Sequence, residues 1–167
     1  MQTPDSLNIT MEEVMDKKLA GAMKEIHKII DGTYRGCIVA INPGLRSELP
    51  IIEELNNNNC EFYYFSLNSC THLKLFQILQ GHNNEEEVIV IDLSESDVFD
   101  MAHYDMLSCI LTEREKKEAP IQFMHHKLTL EESTINFKGR FIVITPKEMN
   151  YLEKNISNKK AIIDMRL

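Results

Sequence analysis

Residues 36–47 read Gly36-Cys37-Ile38-Val39-Ala40-Ile41-Asn42-Pro43-Gly44-Leu45-Arg46-Ser47, and this stretch decides the fold. Its apolar run, residues 37–41, is too short for an independent helix. Glycine precedes the run and Asn-Pro-Gly follows it, so the pattern predicts a strand that is buried on both faces. After Pro50, the run Ile51-Ile52-Glu53-Glu54-Leu55 predicts a helix. The chain thus passes from a strand through a glycine-containing turn into a helix.

This order of strand, turn and helix is a frame in which proteins bind phosphate. Backbone N–H groups of the turn and the partial positive charge of the helix N-terminus both favour an anion. A complete phosphate-binding loop reads G-x-x-x-x-G-K-[ST], where the lysine contacts the terminal phosphates and the hydroxyl contacts Mg²⁺. No lysine lies between Lys28 and Lys74. The sequence therefore predicts the frame without the side chains that usually perform its chemistry.

Composition sets further limits on function. The chain has 167 residues and a formal net charge of −8, which disfavours binding to a nucleic-acid backbone. No apolar run approaches the ~20 residues needed to span a bilayer, and the N-terminus lacks the features of a secretory signal. The 4 cysteines form no C-x-x-C pair. This spacing predicts reduced thiols in a cytoplasmic protein and no metal site.

Helices and strands alternate along most of the chain. Thr10 and Glu13 predict a capping box at the start of a helix that ends at Asp31-Gly32. The remaining predicted strands are Phe62–Phe65, Val88–Asp92, Arg140–Thr145 and Ala161–Met165, and the remaining predicted helices are Thr71–Gln80, Ser94–Thr112 and Glu148–Lys154. Such alternation predicts an α/β fold with three layers and a parallel sheet whose crossovers are right-handed.

Residues 121–139 depart from this alternation. Gln122–Leu130 and Thr134–Phe137 flank a polar tripeptide and predict a β-hairpin insertion, while Pro120 is predicted to end the preceding helix. A hairpin points alternate side chains to opposite faces, so its apolar residues cannot all enter one core. Two interpretations stay open: a neighbouring helix covers them, or a partner does. The candidate interface residues are Phe123, Leu128, Leu130 and Phe137.

The order of these elements resembles the core ATPase domain of the AAA+ family. The stretch from Tyr34 to Gly44 is similar to the family's approach to its phosphate-binding loop. Val88–Asp92 is similar to the Walker B strand, and Arg140–Thr145 to the strand that carries the sensor asparagine. The resemblance implies the strand order 5-1-4-3-2. The chain length predicts a single domain over residues 1–167, with residues 1–9 as a tail. The family's small helical lid domain is not expected, because the sequence ends at Leu167.

The signature residues of that family are not matched in the loop. When Pro43-Gly44 is placed on the family's P-G pair, Ile41 and Arg46 stand at loop glycines. Ser47 then replaces the lysine, and Glu48 replaces the hydroxyl that binds Mg²⁺. The signature residues are not matched beyond the loop either.

After Asp92, Leu93 replaces the glutamate that activates the attacking water in the family. Pro146 stands at the position of the sensor asparagine, and no arginine finger lies between Arg140 and Arg166. Losing positioning and charge stabilisation together removes most of the rate enhancement.

Three functional hypotheses follow. The favoured one is a pseudo-ATPase, a non-catalytic AAA+-like domain that binds a protein partner or self-assembles and needs no cofactor. The alternative is an atypical nucleotide-binding P-loop protein with weak or no NTPase activity. It would bind ATP and Mg²⁺ through Asn42, Gly44, Arg46, Ser47 and Asp92. The third is another parallel α/β family in which Asn42 and Asp92 line the crevice at the strand ends.

Overall fold

The structure is a computed structural model that describes residues 10–41, 48–67, 70–93, 107, 119–122, 128–129, 131–146 and 162–165. Its elements are α1 (Met11–Ile30), β1 (Gly36–Ile41), α2 (Glu48–Asn57), β2 (Phe62–Ser66), α3 (His72–Gly81), β3 (Val88–Asp92), β4 (Ala119–Gln122), β5 (Thr134–Phe137), β6 (Arg140–Pro146) and β7 (Ile162–Asp164). The five strands predicted for the main sheet and the first three helices are confirmed. The predicted helix at Glu148–Lys154 lies outside the described residues, as does the one at Ser94–Thr112 apart from Leu107.

Five strands form one parallel sheet in the order β2-β3-β6-β1-β7. Numbered among themselves, they follow the expected order 5-1-4-3-2, because β4 and β5 form a separate antiparallel pair. Parallel strands all begin at one edge of the sheet and all end at the other. We call these the amino edge, formed by Gly36, Phe62, Val88, Arg140 and Ile162, and the carboxyl edge, formed by Ile41, Ser66, Asp92, Pro146 and Asp164.

The sheet lies between two layers of apolar side chains, which gives the three layers predicted from the sequence. On one face, Ile26 of α1 and Ile51 of α2 belong to a core cluster with Val39 and Val90 of the sheet. On the other face, α3 packs in a second cluster with Leu107, Ile121, Phe137 and alternate residues of the same strands, such as Ile89 and Ile91. We call these the α1–α2 face and the α3 face. Burial on both faces explains why the strands are continuous apolar runs.

The boundaries of α1 follow from its terminal residues. The Thr10 hydroxyl accepts a hydrogen bond from the Glu13 N–H at 3.1 Å, which caps the helix as predicted. At the other end, Gly32 has a φ of +83°, a conformation that favours glycine. The Asp31 carboxylate accepts bonds from the Thr33 hydroxyl and N–H, and these bonds lower the pKa of Asp31. No helix in the described ranges is long and apolar enough to cross a membrane.

Strand β1 packs closely against its neighbours. A Cβ atom at Gly36 would overlap the ring of Phe141 on β6, so glycine is the residue that fits there. The next side chain, Cys37, is 2% exposed on the α1–α2 face, and burial raises the pKa of its thiol to about 12. This thiol is therefore a packing group that stays protonated at neutral pH.

The hairpin predicted at residues 121–139 needs a correction in its first strand. Strand β4 begins at Ala119 and includes Pro120, which was predicted from the sequence to end a helix. It pairs antiparallel with β5, so that Pro120 is opposite Asn136. Proline is tolerated where a strand has a free edge, and β5 is the one described partner of β4. Leu128 lies in a bend rather than in a strand, while the predicted second strand, Thr134–Phe137, is confirmed.

Candidate functional site

Asp92 is the last residue of β3 and therefore lies at the carboxyl edge, where parallel α/β sheets bind their ligands. Its residue surface is 4% exposed. Side chains alternate along a strand, so Asp92 shares the α1–α2 face with Val88 and Val90. The sequence predicted this placement at the edge but not the burial of the carboxylate.

A tyrosine on the neighbouring strand holds this carboxylate. The Tyr64 hydroxyl donates a hydrogen bond to Asp92 Oδ2 at 2.5 Å. The β2–β3 register pairs Tyr64 with Val90 and Ser66 with Asp92. Tyr64 is thus set back by two residues, about 7 Å along the strand, on the same face as Asp92. The length of the phenol side chain spans this offset and brings its oxygen to the carboxylate.

Leu93 follows Asp92 but points to the other side of the sheet. It is 1% exposed and belongs to the core cluster of the α3 face. Its backbone N–H donates to the Ile144 carbonyl at 2.8 Å, which continues the pairing of β3 with β6. The position that the AAA+ resemblance assigns to a water-activating glutamate is therefore an apolar core position here.

Thr145, near the end of β6, is a second buried polar residue at the carboxyl edge. It is 0% exposed, and among the described residues its hydroxyl oxygen has no hydrogen-bond partner. Alternation places it on the α3 face with Val143 and Phe141. A buried hydroxyl without a partner costs about 1–3 kcal/mol relative to a satisfied one. Neither Thr145 nor Tyr64 was predicted as a site residue from the sequence.

The other candidate residues divide into two groups. Asn42, Gly44, Arg46, Ser47, Phe123 and Leu130 lie outside the described residues, and their role as candidates stays a prediction. Leu128 is half-buried against the core cluster of the α3 face. Phe137 is 1% exposed in that cluster, which corrects its proposed role as an interface residue: its ring packs within the core.

A cleft of about 390 Å³ lies at the opposite, amino edge. Its charged lining residues are Asp31, Arg35, Glu85, Glu86, Lys138 and Arg140. Arg140 donates to the carbonyls of Ile29, Ile30 and Glu86 at 2.7, 2.6 and 2.5 Å. Arg35 donates to those of Phe137 and Gly139 at 3.3 and 3.2 Å. Both arginines thus donate hydrogen bonds to the backbone, and these bonds stabilise the fold at the amino edge.

Comparisons with known proteins agree on the architecture. No protein-family model matches the chain, and no curated protein matches it in sequence. Among solved structures, the Thermotoga maritima RuvB Holliday junction branch migration motor is similar, with a TM-score of 0.52 and 13% identity. The match covers 100% of this chain and 48% of that one. The fold is AAA+-like.

Two mutant structures of Thermotoga maritima RuvB are also similar to this chain. Both have a TM-score of 0.54, at 13% and 12% identity, and they cover 93% and 96% of this chain. Each match covers 46% of the RuvB chain, so the protein spans about half the length of these structures. At such low identity the likeness shows the fold alone.

An AAA+-like fold implies a nucleotide with Mg²⁺ at the carboxyl edge, and the described residues there do not fit this group. Mg²⁺ demands near-octahedral geometry and usually keeps several waters. The carboxylate of Asp92 is almost fully buried and accepts a hydrogen bond from Tyr64. Next to it, Leu93 offers no group that can bind or activate water.

Proposed function

We propose that this chain is a non-catalytic AAA+-like domain that serves as a protein-interaction or assembly subunit. The observation that carries the proposal is the position of Leu93. Hydrolysis needs a base within hydrogen-bond reach of the attacking water. Leu93 has no titratable group, and its side chain packs in the core of the α3 face, away from Asp92. The described end of β3 thus supplies no base at the position where the AAA+ resemblance expects one.

The sequence of the loop supports the same proposal. Ser47 stands in place of the lysine and Glu48 in place of the hydroxyl in a phosphate-binding loop. A glutamate near a bound phosphate is repulsive, and no lysine of the loop compensates it. Without the cation and the base, the domain keeps a scaffold for binding other proteins.

If the domain has no catalytic activity, partner binding is the function that a well-packed domain of this kind can still perform. In the described part of the chain, apolar clusters cover both faces of the sheet. Phe137 is excluded as a contact because it is buried, so an interface would use other surfaces of the chain. The RuvB structures are those of a Holliday junction motor; for this chain we propose assembly without the motor activity.

Nucleotide binding is the first test of this proposal. We expect no rise in melting temperature with ATP and Mg²⁺ and no phosphate release above the buffer rate. A ligand at one hundred times its dissociation constant would add about 2.7 kcal/mol to the free energy of unfolding, which is easily measured. Asp92→Asn is the matched control. A thermal shift in the wild type that this variant loses would contradict the proposal and favour the atypical nucleotide-binding alternative.

Self-association and partner binding form the second test. Sedimentation velocity should show species heavier than the 19.4 kDa monomer, or a stoichiometric partner should co-purify with the intact chain. A chain that stays monomeric at every concentration and retains no partner would contradict the assembly role. This result would not bear on the proposed absence of catalysis.

A further inference from the structure

The hydrogen bond between Tyr64 and Asp92 has a consequence for the metal chemistry of the fold. We infer that the Tyr64 hydroxyl takes the coordination position of a cation on Asp92, so that the carboxylate joins β2 to β3 and is closed to divalent metal. This inference deepens the proposed function, on which it rests, by naming the residue that closes the metal position.

Geometry is the first argument. The Tyr64 hydroxyl donates a hydrogen bond to Asp92 Oδ2, with 2.5 Å between the two oxygens. A cation that approached Oδ2 from the side of β2 would have to displace this hydroxyl. The β2–β3 register fixes the offset of the two residues, so the phenol is held at the carboxylate by the sheet itself.

Burial is the second argument. Asp92 is 4% exposed, and Val88 and Val90 on the same strand face lie in a fully apolar cluster. A hydrated divalent cation keeps several waters, so it could reach this nearly closed carboxylate only through the space that the phenol hydroxyl fills. A buried carboxylate must nevertheless be hydrogen-bonded, and the tyrosine supplies a neutral donor that needs no hydration shell. The Tyr64 hydroxyl therefore binds the carboxylate at the position from which a metal would otherwise approach.

The test combines protein stability with local metal binding. Tyr64→Phe removes the hydroxyl and keeps the ring, Asp92→Asn removes the charge and keeps the shape, and a double variant combines them. Tyr63→Phe is the matched control, because Tyr63 lies on the same strand but packs against the α3 face and stacks on His82. The metal probe is Mn²⁺ alone, and the readout is paramagnetic broadening of the amide signals of Leu93 and Thr145.

In the stability arm, Tyr64→Phe should raise the unfolding equilibrium constant roughly tenfold or more, as expected for a lost bond to a charged group. The same change should have a clearly smaller effect in the Asp92→Asn background, because the charge-assisted bond is already lost there. Tyr63→Phe should have a smaller effect than Tyr64→Phe and the same effect in both backgrounds. Equal effects of Tyr64→Phe in the two backgrounds would overturn the inference.

In the metal arm, Mn²⁺ should leave the two amide signals sharp in the wild type, in Tyr63→Phe and in the double variant, and should broaden them in Tyr64→Phe. Broadening in the wild type, or none in Tyr64→Phe, would overturn the claim that the hydroxyl closes the carboxylate. Neither result bears on ATP binding by the wild type. Failure of this inference is therefore distinguishable from failure of the proposed function, which depends on the ATP measurement.

Discussion

The two edges of the sheet differ in how their polar groups are bonded and buried. At the amino edge, Arg140 and Arg35 donate hydrogen bonds to backbone carbonyls of α1 and of the segments before β3 and β6. At the carboxyl edge, Tyr64 binds the buried carboxylate of Asp92, and the Thr145 hydroxyl is buried without a partner among the described residues. Charged side chains at the amino edge satisfy backbone groups, whereas the polar side chains of the carboxyl edge are themselves buried.

A further pair extends the stabilising role of the amino edge. His82, just after α3, lies 2.6 Å from Glu87 through its Nδ1 atom and stacks on the ring of Tyr63 at 3.9 Å between centroids. Glu87 immediately precedes β3, so this contact joins the end of α3 to the starts of β2 and β3. The comparison teaches that, within the described part of the chain, the edge opposite the expected ligand site holds the layers together through side-chain bonds to the backbone.

The largest effect is expected at the amino edge. Arg140→Met keeps much of the apolar stem but removes the donors to three carbonyls, and we expect it to lower the free energy of unfolding by about 3 kcal/mol. Chemical denaturation measures this change. Arg140→Lys is the control: it restores the charge but not the planar donor geometry, so it should recover less than half of the loss. A loss below about 1 kcal/mol for Arg140→Met would remove the distinction between the two edges.

A position midway between the edges gives the reference value. Val90 is 0% exposed in the middle of β3, and Val90→Ala should create a cavity that costs about 2 kcal/mol. The same denaturation experiment on Val90→Ile tests whether the site is also tightly packed, since added volume should destabilise it as well. If Val90→Ala changes the free energy of unfolding by less than Thr145→Val does, the core of the sheet is packed more loosely than its edge.

Thr145 at the carboxyl edge should respond in the opposite direction. Thr145→Val replaces the unpaired hydroxyl with a methyl group of similar size, and we expect it to raise the free energy of unfolding by about 1 kcal/mol. Thr134→Val is the matched control, because that hydroxyl oxygen is also buried with no partner among the residues the structure describes, but lies on the hairpin strand β5. Destabilisation by Thr145→Val alone would show that its hydroxyl has a partner and that this edge binds a polar group.

The smallest effect is expected for an exposed pair of side chains at the amino edge. His27 on α1 lies 2.5 Å from Glu54 on α2, with side chains that are 46% and 23% exposed. Such an accessible pair contributes little, so His27→Gln should change the free energy of unfolding by less than about 0.5 kcal/mol. Whatever the pair contributes should shrink as salt is added. A loss comparable to that of Arg140→Met would show that charge pairing, rather than backbone bonding, stabilises this edge.

The sequence predicted the fold to a large extent because its signals are local. Continuous apolar runs at Val88–Asp92 and Arg140–Thr145 indicated strands buried on both faces, and Thr10 indicated the start of α1. The first strand of the hairpin was misplaced, because Pro120 looks like a helix end until its pairing with Asn136 is known. Within the site, the sequence placed Asp92 at a strand end but carried no sign of its burial.

By itself, then, the sequence determined the alternation of elements and the parallel sheet, because these depend on neighbouring residues and fixed spacings. Tertiary structure alone decided what those residues do. Tyr64 meets Asp92 across 28 positions and Arg140 meets Ile29 across 111. Contacts at such separations follow from strand order, register and side-chain length acting together. Only the folded sheet brings the phenol to the carboxylate.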